Sequence, residues 1–150
     1  MAVRRRRVPV VLDTNVLAAA FLSRDPQSSN LRLYRVWAER RLQLVLSDPI
    51  AAEYLGVLGR LGASAAHLRA FSRRLATRAS VTRVRPAKDL KLSRDLTDNM
   101  FLSAAAAGKA RFLVTNYHDL LQIPAPALRA FRFRIVTPAE FVRLLKGLRR

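Results

Sequence analysis

Apolar residues along the chain fall into two alternating kinds of segment. Short runs, mostly apolar, occur at Val8 to Leu12, Leu42 to Leu46, Val81 to Val84, Phe112 to Thr115 and Phe133 to Val136. Runs of this length bounded by polar residues predict strands, buried on both faces where the run is unbroken. Between them the apolar positions recur at intervals of three and four. The segment from Thr14 to Leu22 reads as a helix, and a second helix over 28–40 carries Leu31, Tyr34 and Trp37 on one side. A third places Ile50, Tyr54, Val57, Leu58 and Leu61 together, and a fourth Leu68, Phe71 and Leu75. Phe101, Leu102 and Ala105 mark a fifth from Leu96 to Gly108, and Phe141, Leu144, Leu145 and Leu148 mark a terminal one.

Polar punctuation supports these boundaries. Ser47-Asp48-Pro49 reads as an N-cap, an acid and a proline in a first turn, Gly62 as a stop, and Ser64 and Asp95 as further caps. Thr137-Pro138-Ala139-Glu140 is a capping box, in which the Thr hydroxyl and the Glu side chain satisfy free N–H groups reciprocally. The segment from Arg24 to Asn30 reads as a loop, and Tyr117 to Leu121 as a short helical turn. Strands alternating with helices predict βαβ units around a parallel sheet covered on both faces. Such a sheet places its ligand site beyond the carboxyl ends of its strands. With 150 residues, no internal repeat and no linker, the chain is expected to form one domain over 8–150, preceded by a basic arm over 1–7.

Charge adds what the pattern does not contain. Lys and Arg number 28 against 10 Asp and Glu, a formal net charge of +18. A field of that sign favours polyanions, either nucleic acid or an acidic protein segment. The clusters expected to bind nucleic acid are Arg4, Arg5, Arg6 and Arg7 in the arm, and Arg73 with Arg74. Cysteine is absent, which excludes disulfides, thiolate metal sites and cysteine nucleophiles. The apolar run from Val8 to Leu12 is too short for a signal peptide, and no run reaches the roughly 18 apolar residues of a membrane helix. A cytoplasmic protein without membrane attachment is expected.

In so basic a chain the positions of the acids are informative. Asp13 follows the first strand, where an open α/β sheet puts its site and where a helix cap would also stand. Glu53 falls three residues after Ile50 and four before Val57, on or beside the buried face of its helix. Asp98 precedes Phe101, Leu102 and Ala105 at helical spacing, near a helix N-terminus whose dipole alone would favour an acid. Asp95 caps that helix, and Asp119 lies just past the strand ending at Thr115. Carboxylates from distant segments gathered at one crevice repel one another unless divalent cations sit between them. A hard, all-oxygen set suits Mg²⁺ or Mn²⁺, which lower the pKa of bound water and stabilise charge on phosphoryl oxygens. The residues therefore point to a metal-dependent nuclease. Neither His67 nor His118 suggests a zinc site without a Cys partner, and Tyr34 and Trp37 read as core.

Four segments in order, VVLDTNVL, LVLSDPIAAEYLGVL, RDLTDNMFLSAAAAGKARFLVT and FRIVTPAEFVRLL, resemble the PIN-domain ribonucleases, particularly the toxin-like bacterial branch, over nearly the whole chain. The resemblance implies a three-layer α/β/α sandwich with a central parallel sheet and a site that uses Mg²⁺ or Mn²⁺ to hydrolyse RNA. In it Asp13, Glu53 and Asp98 would hold the metal, Asp119 would join them in catalysis, and Asn15, Thr115, Asn116 and Asp95 would support the pocket. It also implies an acidic antitoxin protein as partner and a homodimer. The run LVTNYHDLL departs from the family, because Tyr117 stands where a fourth acid is expected. The alternative reading is accordingly a weakened or inactive protein that keeps the fold and binds RNA without turnover.

Overall fold

The computed structural model describes residues 7–87, 90–93 and 95–148. Arg4, Arg5 and Arg6 of the expected basic arm lie outside the described residues. Arg7 is described, half-buried, as it leads into the first strand.

The elements alternate as the pattern predicts. In chain order they are β1 (Val8–Leu12), α1 (Thr14–Leu22), α2 (Ser29–Ala38), β2 (Leu42–Leu46), α3 (Asp48–Arg60), α4 (Ala65–Leu75) and β3 (Val81–Arg83). There follow α5 (Leu96–Ala107), β4 (Phe112–Val114), α6 (His118–Leu121), α7 (Ala125–Leu128), β5 (Arg134–Val136) and α8 (Pro138–Leu148). The sheet has the order β3-β2-β1-β4-β5, and every neighbouring pair is parallel. Helices flank the sheet in a three-layer α/β/α sandwich. The chain builds outward from β1 to β3, then returns to lay β4 on the other side of β1. The crevice between β1 and β4 is therefore the topological switch point, where such sheets bind ligands.

The strands are apolar because both faces are covered. Val10, Val11 and Leu12 of β1, Leu44, Val45 and Leu46 of β2, and Leu113 and Val114 of β4 are fully buried. Helix α5 lies across β1, β2 and β4, while α2 packs on β2 and against α8. Trp37 and Tyr54 are buried in this core with Phe71, whose ring meets each of theirs edge to face. No described helix is long and apolar enough to cross a membrane.

Most caps act as their residue types suggest. Ser64 Oγ accepts from His67 N at 3.1 Å, Asp95 Oδ1 from Thr97 N at 2.9 Å, and Thr137 Oγ1 from Glu140 N at 3.2 Å. Ser47 differs: it occupies the N-cap position of α3, but its side chain makes no cap bond. Gly62 ends the α3 segment with a φ of +97°, a conformation costly for any residue with a Cβ. The helix α7 was not anticipated. Its Pro124 and Pro126 resemble loop residues, yet they occupy the cap and first turn, where proline costs no hydrogen bond.

Candidate active site at the carboxyl ends of the strands

Strand register assembles the crevice. Leu12 of β1 pairs with Val114 of β4, so the next residues, Asp13 and Thr115, emerge side by side although 102 positions apart in sequence. Asp13 stands at the N-cap position of α1 but makes no side-chain cap bond. Its Oδ2 instead accepts from Thr115 Oγ1 at 2.7 Å and from Asn15 Nδ2 at 3.0 Å. Thr115 is fully buried, and its hydroxyl also accepts from Tyr117 N at 2.9 Å. One threonine thus fixes both Asp13 and the backbone leading to Tyr117.

The other carboxylates arrive on helices. Glu53 is half-buried on α3, and its Oε2 accepts from Thr14 Oγ1 at 2.7 Å. Asp98 is buried in the first turn of α5, and its Oδ2 accepts from Ser93 Oγ at 3.2 Å. Asn99 secures Ser93 in turn, accepting from its N at 2.9 Å and donating to its carbonyl at 3.3 Å. Asp95 caps α5, and Asp119 is exposed in α6. At the rim, Asn116 N donates to Asn15 Oδ1 at 3.1 Å and Asn116 Nδ2 to Asn30 Oδ1 at 2.7 Å, which ties the start of α2 to the crevice.

The electrostatics are those of crowded acids. Burial raises the pKa of Asp13, the charge of Glu53 raises it further, and the Thr115 hydrogen bond opposes the rise. Asp98 is pushed up to about 6, by burial first and then by the charges of Asp13, Asp95 and Asp119. Beneath them the buried Tyr54 donates to Leu12 O, and burial with the charges of Asp13 and Glu53 holds its phenol well above the ordinary value. Tyr117 is 40% exposed. Its pKa is raised, first by Asp119 and also by Asp95 and Asp98, so its ring stands in the same negative field.

Among the described residues the ion pairs are Arg41 with Glu39 and Arg83 with Asp48. None of the crevice acids takes part. Also among the described residues, no three His, Asp or Glu side chains lie close enough to hold an ion by themselves. The donor set is all oxygen and negatively charged, which fits Mg²⁺ or Mn²⁺, ions that engage one or two carboxylates and keep several waters.

Several contributing residues lay outside the sequence expectation. Thr14, Ser93, Asn99, Asn30 and Tyr54 each bond a crevice acid, its support or the strand below it. Thr14 carried a usable signal, since it directly follows Asp13. Conversely, Arg74 is a half-buried residue whose guanidinium lies over the rings of Tyr34 and Trp37, at 5.8 and 5.6 Å, and bonds the Tyr34 hydroxyl at 3.4 Å. Arg73 is exposed on the same helix. His118 Nε2 lies 2.7 Å from Gln122 Nε2, and His67 packs against Phe21.

Comparison with known proteins agrees with this architecture. The fold is similar to that of VapBC2 from Rickettsia felis, solved bound to a DNA fragment from their promoter, with a TM-score of 0.55 and 15% identity over 87% of this chain and 98% of that one. It is also similar to PAE2754 from Pyrobaculum aerophilum, with a TM-score of 0.50 and 18% identity over 93% and 90% of the two chains. No curated protein sequence matches the chain. Residues 9–118 match the PIN domain, a span that begins in β1 and ends in α6. The chain belongs to the PIN-domain family.

Proposed function

We propose that this protein is an endoribonuclease that depends on Mg²⁺ or Mn²⁺ and serves as the toxin of a toxin–antitoxin pair. PIN domains are generally nucleases that use divalent ions. The observation that carries the reading is the crevice itself: five carboxylates within one another's field and none paired with a described cation, in a chain of net charge +18. Asp13, Glu53 and Asp98 would hold the ion, with Asp119 beside them. The ion would supply an activated water and charge stabilisation at the phosphoryl oxygens.

The chain's own groups prepare that chemistry. Thr115 and Asn15 orient the Asp13 carboxylate, Thr14 that of Glu53 and Ser93 that of Asp98, so each oxygen is positioned before substrate arrives. Asn116 and Asp95 brace the rim and the start of α5. Arg4 to Arg7, Arg73 and Arg74 would supply positive field for the RNA backbone. The same field suits an acidic antitoxin, and the family resemblance extends to a homodimer in solution.

The test is direct. Purified protein should cleave single-stranded RNA with Mn²⁺ and not with chelator, and Asp13→Asn should abolish cleavage while leaving the protein folded. Cleavage by the variant at the wild-type rate would sink the assignment.

A further inference from the structure

The crevice leaves most of the molecule's cations without a role, but one group of them is organised around a cavity. Arg32 and Arg35 lie one turn apart on α2, Arg41 follows the end of that helix, and Lys146 faces them from α8. Together they line an open cleft of about 230 Å³. Val36, Val142 and Leu145 supply its apolar lining, and Glu39, paired with Arg41, also lines it. Arg32, Arg35 and Lys146 are exposed, and among the described residues none of the three is paired with an acid. Arg32 donates to Gln27, a neutral amide that leaves its charge uncompensated. Only Arg41 is offset, by Glu39 at 3.4 Å.

The cleft runs down α2 away from the crevice, toward the amino end of the sheet, since Arg41 directly precedes Leu42, which pairs with Val8 at the start of β1. Asn30 at the start of α2 accepts from Asn116, which donates to Asn15, which holds Asp13. Arg32 is two residues further along the same helix, about 3 Å of rise and about 200° around the axis, so it stands on the other side of α2, toward α8. Helix α8 starts after β5, at the same end of the sheet, and packs alongside α2. A polyanion must therefore cross the start of α2 and run along the groove between α2 and α8 to reach this cleft, so only a long one engages both sites.

We infer that the cleft between α2 and α8 is a second RNA-binding site, a track for the phosphates of single-stranded RNA that extends beyond the acidic crevice. Arg forks match phosphate oxygens bidentately, and the apolar lining receives ribose and base faces that phosphate contacts alone would leave in water. The inference rests on the ribonuclease reading, because the path runs from its active site. Its consequence is a dependence on length: RNA long enough to reach the cleft gains affinity that a short fragment lacks.

The experiment compares the wild-type chain with Arg32→Gln/Arg35→Gln, with Lys146→Gln on the opposite helix, and with Arg60→Gln at the end of α3 as a control. Binding of a long fluorescein-labelled oligouridylate is followed by anisotropy over a salt series in chelator. Cleavage of the same RNA and of a tetranucleotide is followed with Mn²⁺. Each charge removed from the cleft should lower the slope of log K against log salt by about 1. It should also raise KM for the long RNA with kcat unchanged, and the tetranucleotide and the Arg60→Gln control should behave as wild type. A wild-type slope and KM in both cleft variants would overturn the inference, as would an equal loss on the tetranucleotide. Retained RNA affinity with lost binding of poly-L-glutamate would assign the cleft to an acidic protein instead and overturn it as well. If the wild type binds RNA but cleaves none, the nuclease reading fails, while the salt slopes still decide the cleft.

Discussion

Thr115 connects more of the crevice than any of the acids does. Its hydroxyl donates to Asp13 and accepts from Tyr117 N, so Thr115→Val removes a partner from a buried carboxylate and orphans a backbone donor. The variant should lose about 1–3 kcal/mol in chemical denaturation, and its Mn²⁺ affinity should fall roughly 10–100-fold by titration calorimetry. Asp98 gives a prediction in pH. Its folded pKa of about 6 lies above the ordinary 3.8, so without metal the folded state binds the extra proton. Its contribution to stability is complete below the ordinary value and is lost as pH rises through about 6. The Tm in chelator should therefore fall across that window, and Asp98→Asn should raise Tm at neutral pH and flatten the fall. Added Mn²⁺ should stabilise the wild type more than the variant; an unchanged pH profile in Asp98→Asn would refute the account. Asp13, Glu53 and Asp98 were legible in the sequence because an acid at a strand end, or among apolar residues at helical spacing, breaks a pattern. Thr14 and Ser93 were not, since short hydroxyl residues near helix starts normally serve as caps, and only strand register and the path before α5 show whom they face.

At the scale of elements, the five strands and six longer helices follow the apolar periods to within a residue or two. The β4 strand ends at Val114 rather than Thr115, although Thr115 N still bonds Val136 O of the neighbouring strand while its side chain bonds Asp13. What periodicity could not reveal is how closely elements approach. Gly108, at the C-cap of α5, has an ordinary φ of −89°, so it is not there for conformational freedom. A Cβ placed on it would come within 2.3 Å of Val45 Cγ1 on β2. Since Val45 is buried and β-branched, it has little room to give. Gly108→Ala should cost about 1–3 kcal/mol in urea denaturation, despite the better helix propensity of alanine. A neutral or stabilising effect would show that α5 can lift from the sheet.

For the whole molecule, the net charge of +18 sets a self-repulsion that the two described ion pairs barely relieve. In the absence of divalent ions, Tm should rise with NaCl until the Debye length falls to about 3 Å near 1 M. A Tm that falls with salt would mean that attractive surface pairs dominate instead. Composition made this global property legible from the start, whereas the location of the α2–α8 cleft required the fold. The sheet order carries one more consequence, in the timing of synthesis. The strand made first, β1, is the central one, and its partner on one side is β4, which ends at Val114. A ribosome-bound chain has Asp13 ready long before Asp98 and Thr115 exist. The crevice is thus withheld until most of the chain has been made, and a nascent fragment ending before β4 should show no nuclease activity beside the RNA on which it is being built.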